Sequence, residues 1–136
     1  MGQNSKTVEA FYAAMGHGDV PAAIGNLDPQ IVWNEGENFV YADLSPYVGV
    51  DAVLTGLFAR LGGEWDGFSA VPHEIVDGGE TVVALGRYGG VFKATGVKVD
   101  AQFVHVFKFK AGKIAHFQQY TDTAQFKDAV RLRANA

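Results

Sequence analysis

Two ionisable side chains of this sequence lie where proton-transfer chemistry could be done. The first is His105, which alternates with Phe103 and Phe107 along a run rich in aromatic and β-branched residues. Because successive side chains of a strand point to opposite faces, the imidazole and these rings share one face. His105 is therefore either part of a pocket wall or a buried histidine that a neighbouring carbonyl or a dimer contact satisfies.

The second ionisable candidate is Glu35, at the end of a predicted strand from Ile31 to Glu35 and on the same face as Trp33. A carboxyl group beside an indole in an apolar cleft has a raised pKa and can act as a general base or acid. The alternative is a solvated charge at the end of a strand, where charged residues are usually found.

Three further polar side chains could orient a ligand. Arg87 is either a counter-ion inside the pocket or an ordinary arginine of the sheet surface. Gln119 shares a face with Phe117 on the last predicted strand. Tyr12 could offer its hydroxyl group, although it also fits as a packing residue with a polar tip.

The residue inventory excludes several other chemistries. The chain has no cysteine, which removes thiolate nucleophiles, disulfides and cysteine-ligated metal sites. The histidines are scattered, without a pair at the spacing of a metal site, so we expect neither a metal nor another cofactor. Acid–base work on a small apolar molecule, or simple binding, is what the inventory leaves.

The overall composition bears on the partners. Lys and Arg number 11 against 15 Asp and Glu, and a net charge of -4 gives no electrostatic footprint for nucleic acid. No apolar run approaches the ~20 residues of a membrane helix and the start has no apolar signal segment, so we expect no membrane partner and a cytoplasmic location. The 10 Phe, 5 Tyr and 2 Trp of this 136-residue chain indicate rings that line a pocket as well as fill a core.

The helices that must position these side chains follow from the spacing of apolar residues. Three are predicted in the first half: one with the apolar face Val8-Phe11-Tyr12-Met15, a short one opened by Asp19, and a third from Val50 to Leu61. Between the second and third helices, Gly36 to Pro46 shows no clear period. Its aromatic residues, Phe39 and Tyr41, are predicted to fold over something from a loop.

The second half of the chain changes to strands joined by tight turns, which forces antiparallel neighbours. The four runs are Phe68 to Val76, Thr81 to Lys93, Lys98 to Lys110 and Lys113 to Asp122, and Asp122 caps a short last helix. The predicted fold is α+β: a cone-shaped barrel of a strongly curved, mainly antiparallel sheet packed against three N-terminal helices, with a short C-terminal helix, as one domain over residues 1–136. Such a cone has a closed core end and an open pocket end.

Four short patterns carry a family resemblance. They are Phe11 to Asp19 in the first helix, Gly49 to Val53 at the start of the third, Gly112-Lys113-Ile114 at a turn, and Gln119 to Asp122. Together they resemble the SnoaL-like branch of the nuclear transport factor 2-like superfamily, which has the cone-shaped fold of ketosteroid isomerase. The resemblance covers nearly the whole chain and implies the same fold as the residue pattern.

The catalytic residues of these relatives do not carry over. At the positions that the resemblance implies for the tyrosine, the oxyanion aspartate and the base of ketosteroid isomerase, this chain has Phe11, His105 and Asn34. Limonene-epoxide hydrolase and the SnoaL-type cyclases have an acidic residue at about the position of Gln119. The resemblance also leaves open whether Asn34 or Glu35 faces the pocket, and we favour Glu35 because it shares a face with Trp33 and can ionise.

Two function hypotheses result. In the first, an isomerase- or cyclase-like enzyme acts without a cofactor on a small apolar or polycyclic substrate, with Glu35 as base and His105 as acid or oxyanion donor. The residues expected to bind the substrate are Tyr12, Trp33, Asn34, Phe58, Arg87, Phe103, Phe117 and Gln119. In the second, the same fold is a non-catalytic ligand-binding or dimerisation module.

A homodimer is also expected, through the outer face of the sheet. The side chains predicted on that face are apolar enough to need covering. They are Val82, Ala84, Tyr88, Val104 and Val106.

Overall fold

The computed structural model describes residues 2–132. Its helices are α1 (Gln3–Gly16), α2 (Val20–Ile24), α3 (Val50–Val53), α4 (Ala59–Glu64) and α5 (Thr123–Arg131), with a π-helical turn (Leu54–Phe58) joining α3 to α4 and a short 3₁₀ turn (Ala42–Leu44). In the described part of the chain, no helix combines the length and the apolar character needed to cross a membrane.

The strands form a single mixed sheet. They are β1 (Leu27–Asn34), β2 (Tyr47–Val48), β3 (Trp65–Gly78), β4 (Thr81–Phe92), β5 (Lys98–Lys110) and β6 (Lys113–Thr121), in the order β2-β1-β6-β5-β4-β3. All neighbours are antiparallel except β1 and β6, which run parallel. The sheet is not closed, since β2 and β3 are its two edges. The α+β fold predicted from the sequence is confirmed.

Several element boundaries differ from the sequence prediction. β1 begins at Leu27 rather than Ile31, and its pairing with β6 shifts register between Leu27 and Val32, around Pro29. Proline has no N–H for a ladder hydrogen bond and therefore argues against a strand at its position. The apolar run after Pro29 consequently predicted only the second part of β1. The strand β2 lies just after the predicted loop. With two residues it is too short to show an alternation of apolar and polar residues in the sequence.

The inward-facing side of β4 is opposite to the one predicted. Val82 pairs with Phe107 and Ala84 pairs with His105, so the even-numbered residues of β4 share the inner face with the odd-numbered residues of β5. Val82, Ala84 and Tyr88 are accordingly buried in the interior, and their predicted place on the outer face was wrong. The reason is the four-residue turn at 93–96, because an even turn length pairs even with odd positions.

The core lies between the helices and the inner face of the sheet. α1 packs on β3 and β4, α3 on β1, and α5 on β5. Aromatic contacts stabilise this core: Phe11 on α1 meets Phe107 on β5 edge-on at 5.9 Å between centroids, and within the sheet the rings of Trp33 and Phe117 stack at 3.7 Å. Such aromatic pairs contribute about 0.5–1.5 kcal/mol each beyond the area they bury.

Candidate functional site

A cavity of about 440 Å³ opens between α1, the α3–α4 segment and the inner face of the sheet. This volume lies in the range typical of small-molecule pockets. Aromatic side chains form a large part of its wall, including Phe11, Trp33, Phe39, Phe58, Phe68 and Phe117. Among the described residues that line it, none is Lys or Arg and Glu35 is the one acid.

Glu35 follows the last residue of β1 and its side chain is buried in the cavity wall. Trp33 Nε1 donates a hydrogen bond to Glu35 Oε2 at 3.3 Å. Burial raises the pKa of the Glu35 carboxyl to about 8, and the hydrogen bond from Trp33 opposes the shift only in part. The group is therefore mostly a neutral acid at pH 7 and ionises within reach of physiological pH.

His105 lies on β5 with both ring nitrogens engaged by tyrosines. The Tyr12 hydroxyl is 2.5 Å from Nδ1 and the Tyr88 hydroxyl is 2.5 Å from Nε2. Phe103 stacks on the imidazole at 4.0 Å between centroids. Burial lowers the pKa of His105 to about 3, so the ring is neutral at physiological pH.

Gln119, on β6, is the most deeply buried of these polar side chains, with 1% exposed. Its Oε1 accepts a hydrogen bond from the backbone N–H of Gly36 at 2.9 Å. Its Nε2 donates to the Tyr88 hydroxyl at 2.8 Å. Gln119 thus connects the residue after Glu35 to the tyrosine beside His105.

The segment at 36–46 closes one side of the cavity, as its loop aromatics led us to expect. Phe39 lines the wall, and Tyr41 donates a hydrogen bond to Glu64 Oε1 while accepting one from Trp65 Nε1. The Arg60 guanidinium stacks over the Tyr41 ring, 4.7 Å from its centroid. These contacts fasten the segment to the end of α4.

Seven of the ten site residues named from the sequence line this one cavity: Tyr12, Trp33, Glu35, Phe58, His105, Phe117 and Gln119. Phe103 is buried on the same face of β5 as His105 and stacks on its ring, but it does not line the cavity.

Arg87 and Asn34 point away from the cavity. Arg87 is on the outer face of β4, half-exposed, where its Nε donates to Asp100 Oδ1 at 2.8 Å. It is not a counter-ion inside the pocket, and the prediction that it binds the ligand was wrong. Asn34 also leaves the cavity side, because its neighbours on β1 and β6 place it against His116, 3.4 Å from Nε2. Strand alternation therefore puts Glu35, and not Asn34, at the wall.

Two polar wall residues, Ser69 on β3 and Tyr88 on β4, were not predicted from the sequence. The reversed parity of β4 hid Tyr88, and the turn length at 93–96 is the signal that could have found it. Within residues 2–132, no three His, Asp or Glu side chains gather closely enough to hold a metal ion. The polar groups that face the cavity are suited to proton transfer and hydrogen bonding.

The helix-covered sheet with an apolar cavity places this chain in the class of cone-shaped NTF2-like folds. The family model described as SnoaL-like domain matches residues 8–117, and the chain belongs to this family. A comparison with curated proteins found no match.

Several solved structures share the fold. The chain is similar to an NTF2-like protein from Burkholderia thailandensis E264, with 35% identity over 96% of this chain and 99% of that chain and a TM-score of 0.90. An NTF2-like protein of unknown function from Burkholderia pseudomallei K96243 is 26% identical, over 96% and 99% of the two chains, with a TM-score of 0.83. TerC co-crystallised with polyporic acid is 21% identical over 95% and 98%, with a TM-score of 0.83, which shows the fold alone.

Proposed function

We propose that this protein binds a small, neutral, largely apolar molecule in the cavity and moves a proton on it through Glu35, as an isomerase- or cyclase-like catalyst. The observation that carries the proposal is the buried carboxyl group of Glu35 at an aromatic wall. Its pKa of about 8 allows it to exist in both the protonated and the ionised form near neutral pH. A general base works best when its pKa lies near the working pH, and burial brings Glu35 there.

The charge of the wall supports a neutral substrate. None of the described lining residues is Lys or Arg, and His105 is neutral, so an anionic group would enter the cavity without a counter-charge. A neutral ketone with an acidic neighbouring C–H bond fits these conditions. The C–H bond breaks, its electron pair moves into the carbonyl system as an enolate, and the proton passes to the Glu35 carboxylate, which returns it to a carbon.

A proton-exchange assay tests this without knowledge of the natural substrate. 2-Tetralone in D₂O exchanges its acidic C–H protons for deuterium, and proton NMR follows the loss of signal. We expect the protein to accelerate this exchange and Glu35→Gln to lose about 10²–10⁴-fold of the acceleration, since that is the usual contribution of a general base. The matched control is Glu37→Gln, which changes an exposed carboxylate two residues away.

The outcome that contradicts the proposal is equal acceleration by the wild type and Glu35→Gln. Absence of any acceleration, with 2-tetralone bound equally by both, instead supports a second function, a non-catalytic ligand-binding module. One observation favours that alternative: both nitrogens of His105 and both ends of the Gln119 amide are satisfied by protein groups. Fold alone does not decide between them.

We also propose that the protein forms a homodimer through the outer face of the sheet. Val104 and Val106 on β5 face outward beside Leu85 and Val83 on β4, and this row is only half-buried in the single chain. Large exposed apolar patches of this kind usually mark an interface. Further exposed apolar side chains are Val71 and Val76 on β3 and Tyr120 on β6.

Light scattering coupled to size-exclusion chromatography measures the mass directly. We expect a dimer at micromolar concentration for the wild type and a monomer for Val104→Asp. A monomeric wild type at that concentration would rule the dimer out.

A further inference from the structure

A chain of hydrogen bonds runs from the backbone of Gly36 to the cavity through Gln119, Tyr88, His105 and Tyr12. Its first link has a fixed direction, because a backbone N–H can only donate. Gly36 N–H donates to Gln119 Oε1, so the amide nitrogen of Gln119 is the end that faces the Tyr88 hydroxyl at 2.8 Å. An amide nitrogen carries hydrogens and accepts nothing, and Gln119 therefore donates to Tyr88.

The second link determines the tautomer of His105. The Tyr88 hydroxyl accepts from Gln119 and can donate one hydrogen bond of its own. Among residues 2–132, the acceptor within hydrogen-bond distance is Nε2 of His105. If Nε2 carried the ring proton, the Tyr88 oxygen would have to accept hydrogen bonds from both Gln119 and His105; with the proton on Nδ1, each tyrosine oxygen accepts only one. Nε2 therefore accepts from Tyr88. A neutral imidazole carries one ring proton, which must then lie on Nδ1.

The last link leaves one hydroxyl proton for the cavity. His105 Nδ1–H donates to the hydroxyl oxygen of Tyr12, 2.5 Å away. Tyr12 lines the cavity, and the described part of the chain gives its own hydroxyl proton no hydrogen-bond acceptor. A ligand that accepts a hydrogen bond from the Tyr12 hydroxyl must carry an acceptor atom. Because the described wall has no Lys or Arg, that acceptor must be neutral.

We infer that Gln119 is the positioning residue that holds His105 as the Nδ1–H tautomer and thereby presents the Tyr12 hydroxyl proton to a neutral, acceptor-bearing ligand such as a ketone. The ligand part of this inference rests on the proposed function. The tautomer part does not, because it is a property of the protein alone. Tyr88 has the same positioning role, one step nearer to the imidazole.

Nitrogen-15 NMR of protein labelled in its histidines tests the tautomer. The signals of His105 are those missing from the spectrum of His105→Gln. We expect Nδ1 of His105 to show the shift and coupling of a protonated ring nitrogen and Nε2 those of an unprotonated one, in the protein without ligand. The reverse assignment, with the proton on Nε2, would overturn the inference.

The variant Gln119→Glu tests the role of Gln119 itself. An ionised carboxylate has the shape of the amide but only accepts, so Tyr88 would donate to residue 119, Nε2–H of His105 would donate to Tyr88, and Tyr12 would donate to Nδ1. We expect the tautomer to reverse at a pH where the carbon-13 shift of the new carboxyl shows it to be ionised. The matched control is Gln118→Glu on the opposite face of β6, which should keep the wild-type tautomer. An unreversed tautomer in ionised Gln119→Glu would refute the role of Gln119.

A pair of probes tests the ligand class. 2-Tetralone and tetralin differ in one carbonyl oxygen. We expect both proteins to prefer 2-tetralone over tetralin to some extent, and the preference of the wild type to exceed that of Tyr12→Phe by about 5- to 10-fold, the size of one net hydrogen bond. An equal preference in the wild type and Tyr12→Phe would overturn the ligand part. Failure of both probes to bind, with the Nδ1–H tautomer observed, would contradict the proposed function and the ligand part while the positioning of His105 stands.

Discussion

Glu35 makes the stability of the protein fall as pH rises. Burial raises its pKa from the ordinary 4.5 to about 8, and the unfolded chain restores the ordinary value. Below about pH 4.5 both states hold the proton, and the folded state has its full stability with respect to this group. Above that pH the unfolded chain ionises first, so the free energy of unfolding falls by up to about 1.4 kcal/mol per pH unit until the folded protein ionises near pH 8. The total loss is about 5 kcal/mol.

Urea unfolding of the wild type and Glu35→Gln over a pH series measures this loss. The amide keeps the shape of the carboxyl and still accepts the hydrogen bond from Trp33, but it does not titrate. We expect the stability of the wild type relative to Glu35→Gln to decline by about 4 kcal/mol between about pH 5 and about pH 9, since part of the total loss occurs below about pH 5. Glu37→Gln is the control, and its stability should follow that of the wild type. Parallel stability curves for the wild type and Glu35→Gln would refute the assignment of a raised pKa to Glu35.

Three further predictions follow from the packing. Phe107→Ala removes a fully buried core ring and should lower the free energy of unfolding by about 3–5 kcal/mol in urea titrations. A loss below about 1 kcal/mol would show instead that the surrounding side chains collapse into the space. Arg87→Ala removes an exposed ion pair and should change the free energy of unfolding by less than about 1 kcal/mol. The rate of 2-tetralone exchange should stay unaltered, and a loss of exchange would mean that Arg87 does reach the ligand. Gly86→Ala places a Cβ against the backbone of β3 and the Phe103 ring and should lower the thermal midpoint, corresponding to about 1–3 kcal/mol, so an unchanged midpoint would contradict this tight packing.

The fold was accessible from the sequence because local patterns and global architecture agree. The apolar stripe from Val50 to Leu61 predicted a helix, and the structure has a continuous helical segment there, including a π-helical turn that periodicity does not reveal. β4 and β5 followed from alternation and tight turns, and Asp122 caps the last helix through the backbone N–H of Gln125, as its position indicated.

The site was accessible only in part, because its polar residues are brought together across strands. Alternation within one strand correctly grouped Trp33 with Glu35, and both line the cavity. Alternation within a strand does not show which face of β4 is continuous with the inner face of β5. The wrong face was predicted for β4, so Arg87 was placed in the pocket instead of Tyr88. One count, the even length of the turn at 93–96, would have settled it.

The hydrogen-bond chain could not be predicted from the sequence at all. Gln119 and Gly36 are 83 residues apart, and Tyr12 and His105 are 93 apart. Their contacts depend on the parallel pairing of β1 with β6 and on the packing of α1 over the inner face of the sheet. No local pattern of the sequence encodes either of these arrangements.

Both the proposed proton transfer and the pH dependence of stability require that a buried Glu35 titrates near neutral pH at the wall of an apolar cavity. A carbon-13 NMR titration of the Glu35 carboxyl carbon, identified by its absence from Glu35→Gln, measures this pKa directly. The raised pKa predicts a midpoint at about pH 8. A midpoint at the ordinary glutamate value, about 4.5, would contradict it.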